Sequence, residues 1–299
     1  MGLLFAFAQS LCWAGTTIIL RSLSTRLDAF ALNGMRAFFA LLIILPVIWL
    51  TGSAADYAMV TTTRLAYLVG SVLLGGVLGD ALYVMSLEVL GVGRAFPIAN
   101  SSPLFTVLFS TLLLRSPIGW QTLVGMVLVL LGVYLVARPR QRAVRVAIPR
   151  AGVYLASSQT LKGITLATLA AALWGLNTVV MAFGLQGGIS PLVATSVRIP
   201  AVVFISLIAT TMRGGWAQVR RMGGRTLLLI ALGGILGWAA AASLYAAAIQ
   251  AIGPSRTAII SATAPLFGVP LSLIFLGERP TRYTLIGTLL SVMGIALVI

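Results

Sequence analysis

Long apolar runs separated by short polar connections dominate the chain. A helix that crosses the hydrocarbon core of a bilayer needs roughly 20 mostly apolar residues. The backbone inside a bilayer must satisfy its own hydrogen bonds, so runs of this length predict helices, whereas a β-barrel would show short alternating strands. Ten segments qualify: 3–20, 31–50, 66–86, 95–114, 121–137, 164–183, 192–212, 226–248, 257–276 and 283–299. The pattern predicts an all-α integral membrane protein with ten transmembrane helices. The first apolar run lacks the basic start of a signal peptide, so we expect it to be the first span and not to be cleaved.

The longest connection divides the chain near its middle. It is basic and contains Pro139 and Pro149. We therefore predict a first five-helix unit in residues 1–138, a linker in 139–163 and a second five-helix unit in 164–299.

The two units repeat one another at an offset of 162 positions. The Pro-Leu-Phe unit that begins at Pro103 recurs at Pro265, and "TLVG" at Thr122 recurs as "TLIG" at Thr284. Five spans is an odd number, so the second unit must enter the membrane from the opposite side. Inverted repeats around a central cavity are typical of secondary transporters and allow alternating access.

Composition narrows the class of protein. The chain is 60% hydrophobic and 8% charged, with a mean hydropathy of +1.07, whereas soluble domains carry about 25% charged residues. It has no histidine and a single cysteine, Cys12, which removes histidine proton relays, Ser–His dyads and intrachain disulfides. We expect no metal site, no cofactor and no enzymatic activity.

The net charge is +15, and most of the basic residues lie between the apolar runs. We attribute it to loops that orient helices and expect no nucleic-acid binding. Loops after odd-numbered spans hold 15 basic residues and those after even-numbered spans hold 3. The positive-inside rule then places the odd loops in the cytoplasm and both termini outside.

Polar residues and prolines interrupt the fourth and ninth spans. Asn100 and Ser101 lie in one span and Ser261 in the other. Proline removes a backbone donor, and hydroxyls or a wet cavity then satisfy the freed carbonyls. Either these bends only shape packing, or they line a cavity and act as hinges. Their occurrence at repeat-related sites favours gating by Pro97, Pro103, Pro254 and Pro265.

Small and aromatic residues mark the third and eighth spans. Gly75, Gly79 and Gly237 allow close approach of helices and complete the set of gating residues. Aromatic side chains beside them suit stacking on an apolar or aromatic substrate, although core filling explains each one alone equally well. The candidate cavity residues of this kind are Trp13, Tyr83, Trp174, Trp238 and Tyr245.

Other polar side chains inside spans are also candidates. Thr17 and Asn177 belong to the first and sixth spans, where an amide suits a zwitterion or joins helices. Charged residues in a membrane are functional candidates by default. Arg36 and Arg198 occupy equivalent positions of the two units, whereas the position equivalent to Asp80 is the neutral Ala242. Asp80 either pairs with an arginine, which we favour, or carries a proton.

Several motifs resemble the drug/metabolite transporter superfamily, and specifically its EamA-type exporters. They are "LCWAGTTIILR", "ALWGLNTVVMAFG", the two span arginines and the closing "LGERPTRYTLIGTLLSVMGIALV"; the first unit departs from the closing motif, with Ser116 where Glu278 stands. The chain is most similar to bacterial aromatic and neutral amino-acid exporters of the YddG type. The resemblance implies a small-molecule substrate, contact with membrane lipids, the bacterial inner membrane, and termini in the cytoplasm, in conflict with the charge distribution.

We therefore predict an exporter of small neutral metabolites, foremost aromatic or other neutral amino acids. Another metabolite or drug-like compound is the alternative within the superfamily. A channel or a membrane-embedded enzyme is the alternative outside it, but a channel would show a pore-lining motif and an enzyme a catalytic constellation. One chain holds both repeats, so a monomer would suffice.

Overall fold

A computed structural model describes residues 1–23, 27–90, 95, 98–137, 157–264, 266–267 and 282–298, and the regular secondary structure within these ranges is helical. The first half contains α1 Gly2–Leu23, α2 Ala29–Leu50, α3 Thr62–Val72, α4 Asp80–Leu90, α5 Ser102–Leu114 and α6 Trp120–Ala137. The second half contains α7 Ser157–Leu185, α8 Pro191–Met212, α9 Gly224–Gly234, α10 Ala242–Ser261 and α11 Arg282–Val298. Short helices at Ser53–Met59 and Trp216–Arg220 follow α2 and α8.

The helices have the length and composition of a multi-pass membrane protein. Within the ranges that the structure describes, five stretches are long and apolar enough to cross a bilayer: Phe30–Leu50, Thr62–Ser86, Gln159–Leu185, Pro191–Met212 and Gly224–Ser261. The same ranges contain four shorter apolar helices, Gly2–Thr16, Ser102–Leu114, Trp120–Leu135 and Leu285–Val298. The all-α class is therefore confirmed. The number ten stays a prediction, because half of segment 257–276 lies outside the described residues.

The long stretch Gly224–Ser261 contains a sharp break. Gly253 has φ 80° and ψ 163°, a conformation that a side chain would strain, and Pro254 follows it at once. The break falls between the predicted spans 226–248 and 257–276. These spans are thus joined directly at Gly253, without an intervening loop.

One π-helical segment interrupts the third long helical stretch of each half. The first π segment is Leu73–Gly79, between α3 and α4, and the second π segment is Ile235–Ala241, between α9 and α10. Both ends of the two segments differ by 162 positions, the offset of the sequence repeat. π-helices are rare and often mark functional sites. Hydrophobic periodicity gave no indication of either segment.

Helices α6 and α11 pack against each other in opposite directions. A Cβ on Gly125 would lie 2.5 Å from the carbonyl oxygen of Gly294, and one on Gly132 would collide with the carbonyl of Gly287. Gly287 and Gly294 are the repeat equivalents of Gly125 and Gly132. The early part of each helix therefore meets the late part of its equivalent.

Helices α2 and α8 are also antiparallel. Asp28 accepts hydrogen bonds from Phe30 N and Ala31 N at the start of α2, and it pairs with Arg213, just past the end of α8, at 3.4 Å. At the opposite end, the Tyr57 hydroxyl lies 2.8 Å from Oγ of Ser196 near the start of α8. Two pairs of repeat-related helices thus cross head to tail.

The first helix of each half packs on the other half. Helix α1 lies against α10 and the second π segment, and α7 lies against α4, α5 and the first π segment. Fully buried apolar side chains fill the interior, among them Ile44, Leu68, Met181 and Ile199. Large apolar side chains on the outside, such as Trp49, Leu112 and Phe204, are well exposed and form the surface that lipid would cover.

Candidate functional site

Asp80 lies at the start of α4, directly after the first π segment. Its Oδ1 accepts a hydrogen bond of 2.9 Å from Nε1 of Trp174 on α7. The Trp174 ring is in turn tilted at 58° against the Tyr83 ring, with centroids 5.2 Å apart. Three residues predicted for the site therefore meet, and they join one helix of each half.

Asp80 is exposed, and so is Val84 one turn later on α4. Tyr83, in the same turn, is half-buried against Trp174. The carboxylate therefore lies at the accessible edge of the packing between α4 and α7.

Arg36 is buried on α2, with 5% of its surface exposed. Its Nη2 donates to the carbonyl oxygen of Gly233 at 3.3 Å, just ahead of the second π segment. Within the ranges that the structure covers, Nε of Arg36 finds no acceptor. The guanidinium thus bonds the backbone just ahead of the second π segment, and its Nε–H group has no acceptor among the described residues.

Arg198, the repeat equivalent of Arg36, is 6% exposed on α8. It donates from Nη2 to Oδ1 of Asn177 at 3.2 Å and from Nη1 to the sulfur of Met181 at 3.1 Å. Its Nε also has no acceptor in the described part of the chain. A buried cation without a full set of acceptors is costly. Both arginines therefore retain capacity for a further acceptor.

Tyr245 on α10 is the repeat equivalent of Tyr83. Its hydroxyl lies 2.9 Å from Oγ1 of Thr178, which itself donates to the Trp174 carbonyl at 3.1 Å. One stretch of α7 therefore carries Trp174, Asn177 and Thr178, which bond to Asp80, Arg198 and Tyr245 respectively. This stretch brings the predicted residues of both halves together.

Side chains from other helices lie directly against the glycines of the two π segments. A Cβ on Gly75 would lie 2.7 Å from Cγ of Asn177, and one on Gly79 would lie 2.8 Å from Cδ1 of Trp174. A Cβ on Gly237 would lie 2.6 Å from Nη2 of Arg36. The glycines thus serve close approach, as the sequence predicted.

Trp238, in the second π segment, reaches across to the first. Its Nε1 donates to Oδ1 of Asn33 at 3.1 Å. Its Cη2 lies 3.9 Å from a Cβ placed on Gly76, which is the repeat equivalent of Trp238 itself. The Trp238 side chain therefore brings the second π segment into contact with the first.

The polar interruption in the fourth span is a break in the helix. Asn100 and Ser101 form a turn, and Oγ of Ser101 donates to the Ile98 carbonyl at 2.6 Å. The same turn occurs in the other half at Ala262 and Thr263, where Thr263 donates to the Ile260 carbonyl at 2.6 Å. These hydroxyls satisfy carbonyls that the helix releases.

Pro103 does not lie in the interior of a helix, where we expected it to form a kink. It lies in the first turn of α5, where its missing N–H costs nothing, and the break precedes it. Ser261 closes α10, and its Oγ is buried without a hydrogen-bond partner among the residues described. Pro97 and Pro265 lie outside the described residues.

The remaining candidates are placed as follows. Trp13 is 47% exposed on α1. Thr17 belongs to the same helix, and its side chain is not among those described. The sequence interpretation missed Asn33, although it lies one turn before Arg36 and so on the same helical face. In the described ranges, His, Cys, Asp and Glu form no group that would hold a metal ion.

The chain resembles known proteins in both sequence and fold. The profile of the EamA-like transporter family matches residues 1–138 and 161–299, which together cover nearly the whole chain. An "Uncharacterized transporter" of Archaeoglobus fulgidus is 24% identical over 305 residues, covering 99% of this chain and 97% of that protein. A solved structure titled "Crystal structure of protein" superposes with a TM-score of 0.78 at 18% identity, over 99% of this chain and 94% of the other. This last likeness concerns the fold alone.

Proposed function

The chain belongs to the EamA-like transporter family, and we propose that it exports small neutral metabolites, foremost aromatic or other neutral amino acids, by alternating access. The family and the relative named as a transporter make it a membrane transporter of a small molecule and not an enzyme. The substrate, the direction of transport and the mechanism are the proposal.

The head-to-tail crossing of α6 and α11 carries the proposed mechanism. Gly125 meets Gly294 and Gly132 meets Gly287, so each contact exchanges repeat equivalents. Such reciprocity is what a two-fold axis in the membrane plane produces. Residues 1–138 and 164–299 are then inverted five-helix repeats, ten spans in all, and exchanging their conformations opens the centre to the opposite side.

The candidate cavity residues and the candidate charged residues together support a substrate with polar and apolar parts. Asp80, Asn177 and the two arginines supply charge and hydrogen bonds, and Tyr83, Trp174 and Trp238 supply ring faces. The turns at Asn100–Ser101 and Ala262–Thr263 are the hinges of the proposal, together with Gly253–Pro254. We place the protein in the bacterial inner membrane, as the resemblance to amino-acid exporters implies.

The driving force is the remaining choice. The sequence contains no ATP-binding motif, so uphill transport would draw on an ion gradient, and otherwise the substrate gradient drives export. Asp80 either pairs with an arginine, which the sequence favours, or carries the proton, and Trp174 donates a hydrogen bond to it.

Purified protein in proteoliposomes tests the proposal. We expect saturable uptake of radiolabelled phenylalanine or leucine that unlabelled amino acid competes, and a loss of about tenfold or more in Tyr83→Ala and Asn177→Ala. Ala58→Ser, on the exposed connection after α2, is the matched control. Linear flux without competition would indicate a channel and contradict the carrier mechanism.

A further inference from the structure

Asp80 has an unused carboxylate oxygen. Oδ1 accepts from Trp174 at 2.9 Å, and in the described part of the chain this is the hydrogen bond that the side chain makes. Arg36 directs its Nη2 to the Gly233 carbonyl instead. Among the described residues, Oδ2 therefore keeps its acceptor capacity free.

Two aromatic rings flank this carboxylate. Tyr83 lies one turn after Asp80 on α4, which places both side chains on one face, and its ring leans on Trp174 at 5.2 Å. The Trp174 N–H that bonds Oδ1 also fixes the position of its ring. A carboxylate beside aromatic rings attracts an organic cation by charge, and the rings add cation–π interaction.

The other half of the molecule lacks this arrangement. Ala242 stands at the position of Asp80, and the hydroxyl of Tyr245 is bonded to Thr178. The carboxylate–aromatic group therefore occurs on one side of the pseudo-symmetric centre. A structural role shared by the two repeats would require it in both.

We propose that Asp80, Tyr83 and Trp174 form the binding site for the ammonium group of the transported molecule. The site accepts a primary ammonium ion on Oδ2 of Asp80 and covers its adjacent carbon atoms with the two rings. This inference rests on the proposed transport function and specifies its substrate as an amine or an amino acid, and excludes organic anions without an amine.

Titration calorimetry on the purified protein in detergent tests the site with matched phenyl compounds. The probes are phenethylamine, which is a cation, phenylalanine, a zwitterion, 3-phenylpropionate, an anion, and 2-phenylethanol, which is neutral. We expect phenethylamine and phenylalanine to bind at least tenfold more tightly than the other two. Equal binding of 3-phenylpropionate and phenethylamine would overturn the site.

Variants locate the effect. Asp80→Asn should weaken binding of phenethylamine at least tenfold and leave 2-phenylethanol unchanged, whereas Trp174→Phe, which keeps a ring, should weaken it less. Asp56→Asn removes a carboxylate on the connection after α2 and can still accept from Ser190 N, so it should bind as the wild type does. Should Asp80→Asn fold poorly, Tyr83→Leu gives the same test through the ring face.

Transport by the same variants separates this inference from the proposed function. If phenylalanine crosses the membrane with the same KM in wild type and Asp80→Asn, the ammonium site is wrong and the carrier stands. If no probe is transported but phenethylamine binds through Asp80, the site stands and the carrier is wrong. Loss of pH-gradient-driven uptake with unchanged affinity for phenethylamine would make Asp80 a proton carrier and overturn the ammonium site.

Discussion

Arg36 and Arg198 bond different acceptors because the residue next to each arginine differs between the two halves. Asn177 stands between Arg198 and the first π segment and accepts from its Nη2. In the other half the side chain beside Gly237 is the smaller Thr16, so Arg36 reaches the π segment itself and donates to the Gly233 carbonyl. The sequence predicted both arginines as repeat-related candidates. Their acceptors depend on the size of a neighbour on another helix, which sequence pattern does not encode.

Gly132 supports a prediction for stability. A methyl group there would collide with the Gly287 carbonyl and Ser291, and overpacking of this kind costs about 1–3 kcal/mol. Gly132→Ala should lower the melting temperature of the purified protein, followed by thiol-reactive dye or by loss of the monodisperse peak on heating. Gly70→Ala is the control, because a Cβ at Gly70 meets no atom within 4 Å. Equal melting of the two variants would refute the close crossing of α6 and α11.

The two π segments are the least expected elements. Hydropathy predicted spans over 66–86 and 226–248 because it registers only apolar length. A π turn adds one residue to a helical turn without changing that length, so the segments left no trace in the pattern. Glycine spacing did predict the close approach, since Gly75 and Gly79 lie against Asn177 and Trp174.

Gly75→Ala tests whether the first π segment takes part in transport. Its Cβ would lie 2.7 Å from Asn177, so α7 must move away or the π turn must shift. A strain of about 1.4 kcal/mol on the transport step corresponds to a tenfold lower rate, and we expect a loss of about this size in proteoliposome uptake. Gly70→Ala, on the same helical stretch, should transport as the wild type does. Wild-type rates in Gly75→Ala would show that the segment only packs.

At the scale of the whole molecule, equivalent parts of the halves occupy opposite ends. The start of α2 meets the end of α8, where Asp28 pairs with Arg213, and the connection after α2 meets the start of α8. The sequence predicts opposite orientations because five apolar runs per repeat is an odd number, and the ten-span inverted repeat stays a prediction. It left the side on which the termini lie undecided, since loop charge and family resemblance disagree.

Labelling from one side of the membrane tests this arrangement and decides the orientation. Ala58 and Arg220 are repeat equivalents and both are exposed. In a Cys12→Ser background, Ala58→Cys and Arg220→Cys should react with an impermeant maleimide from opposite sides of the membrane. The charge distribution places Ala58 outside, and the reverse pattern would favour termini in the cytoplasm. Labelling of both from one side would refute inverted repeats.

The contact between Trp238 and Gly76 has a consequence for how far the two halves can differ. A residue that touches its own counterpart shares one volume with it, so an indole on one side leaves room only for a small side chain on the other. A symmetric dimer of identical five-helix subunits would place the same side chain there twice, and two indoles would not fit. A chain that carries both halves is free of this constraint, because each position can change without its counterpart.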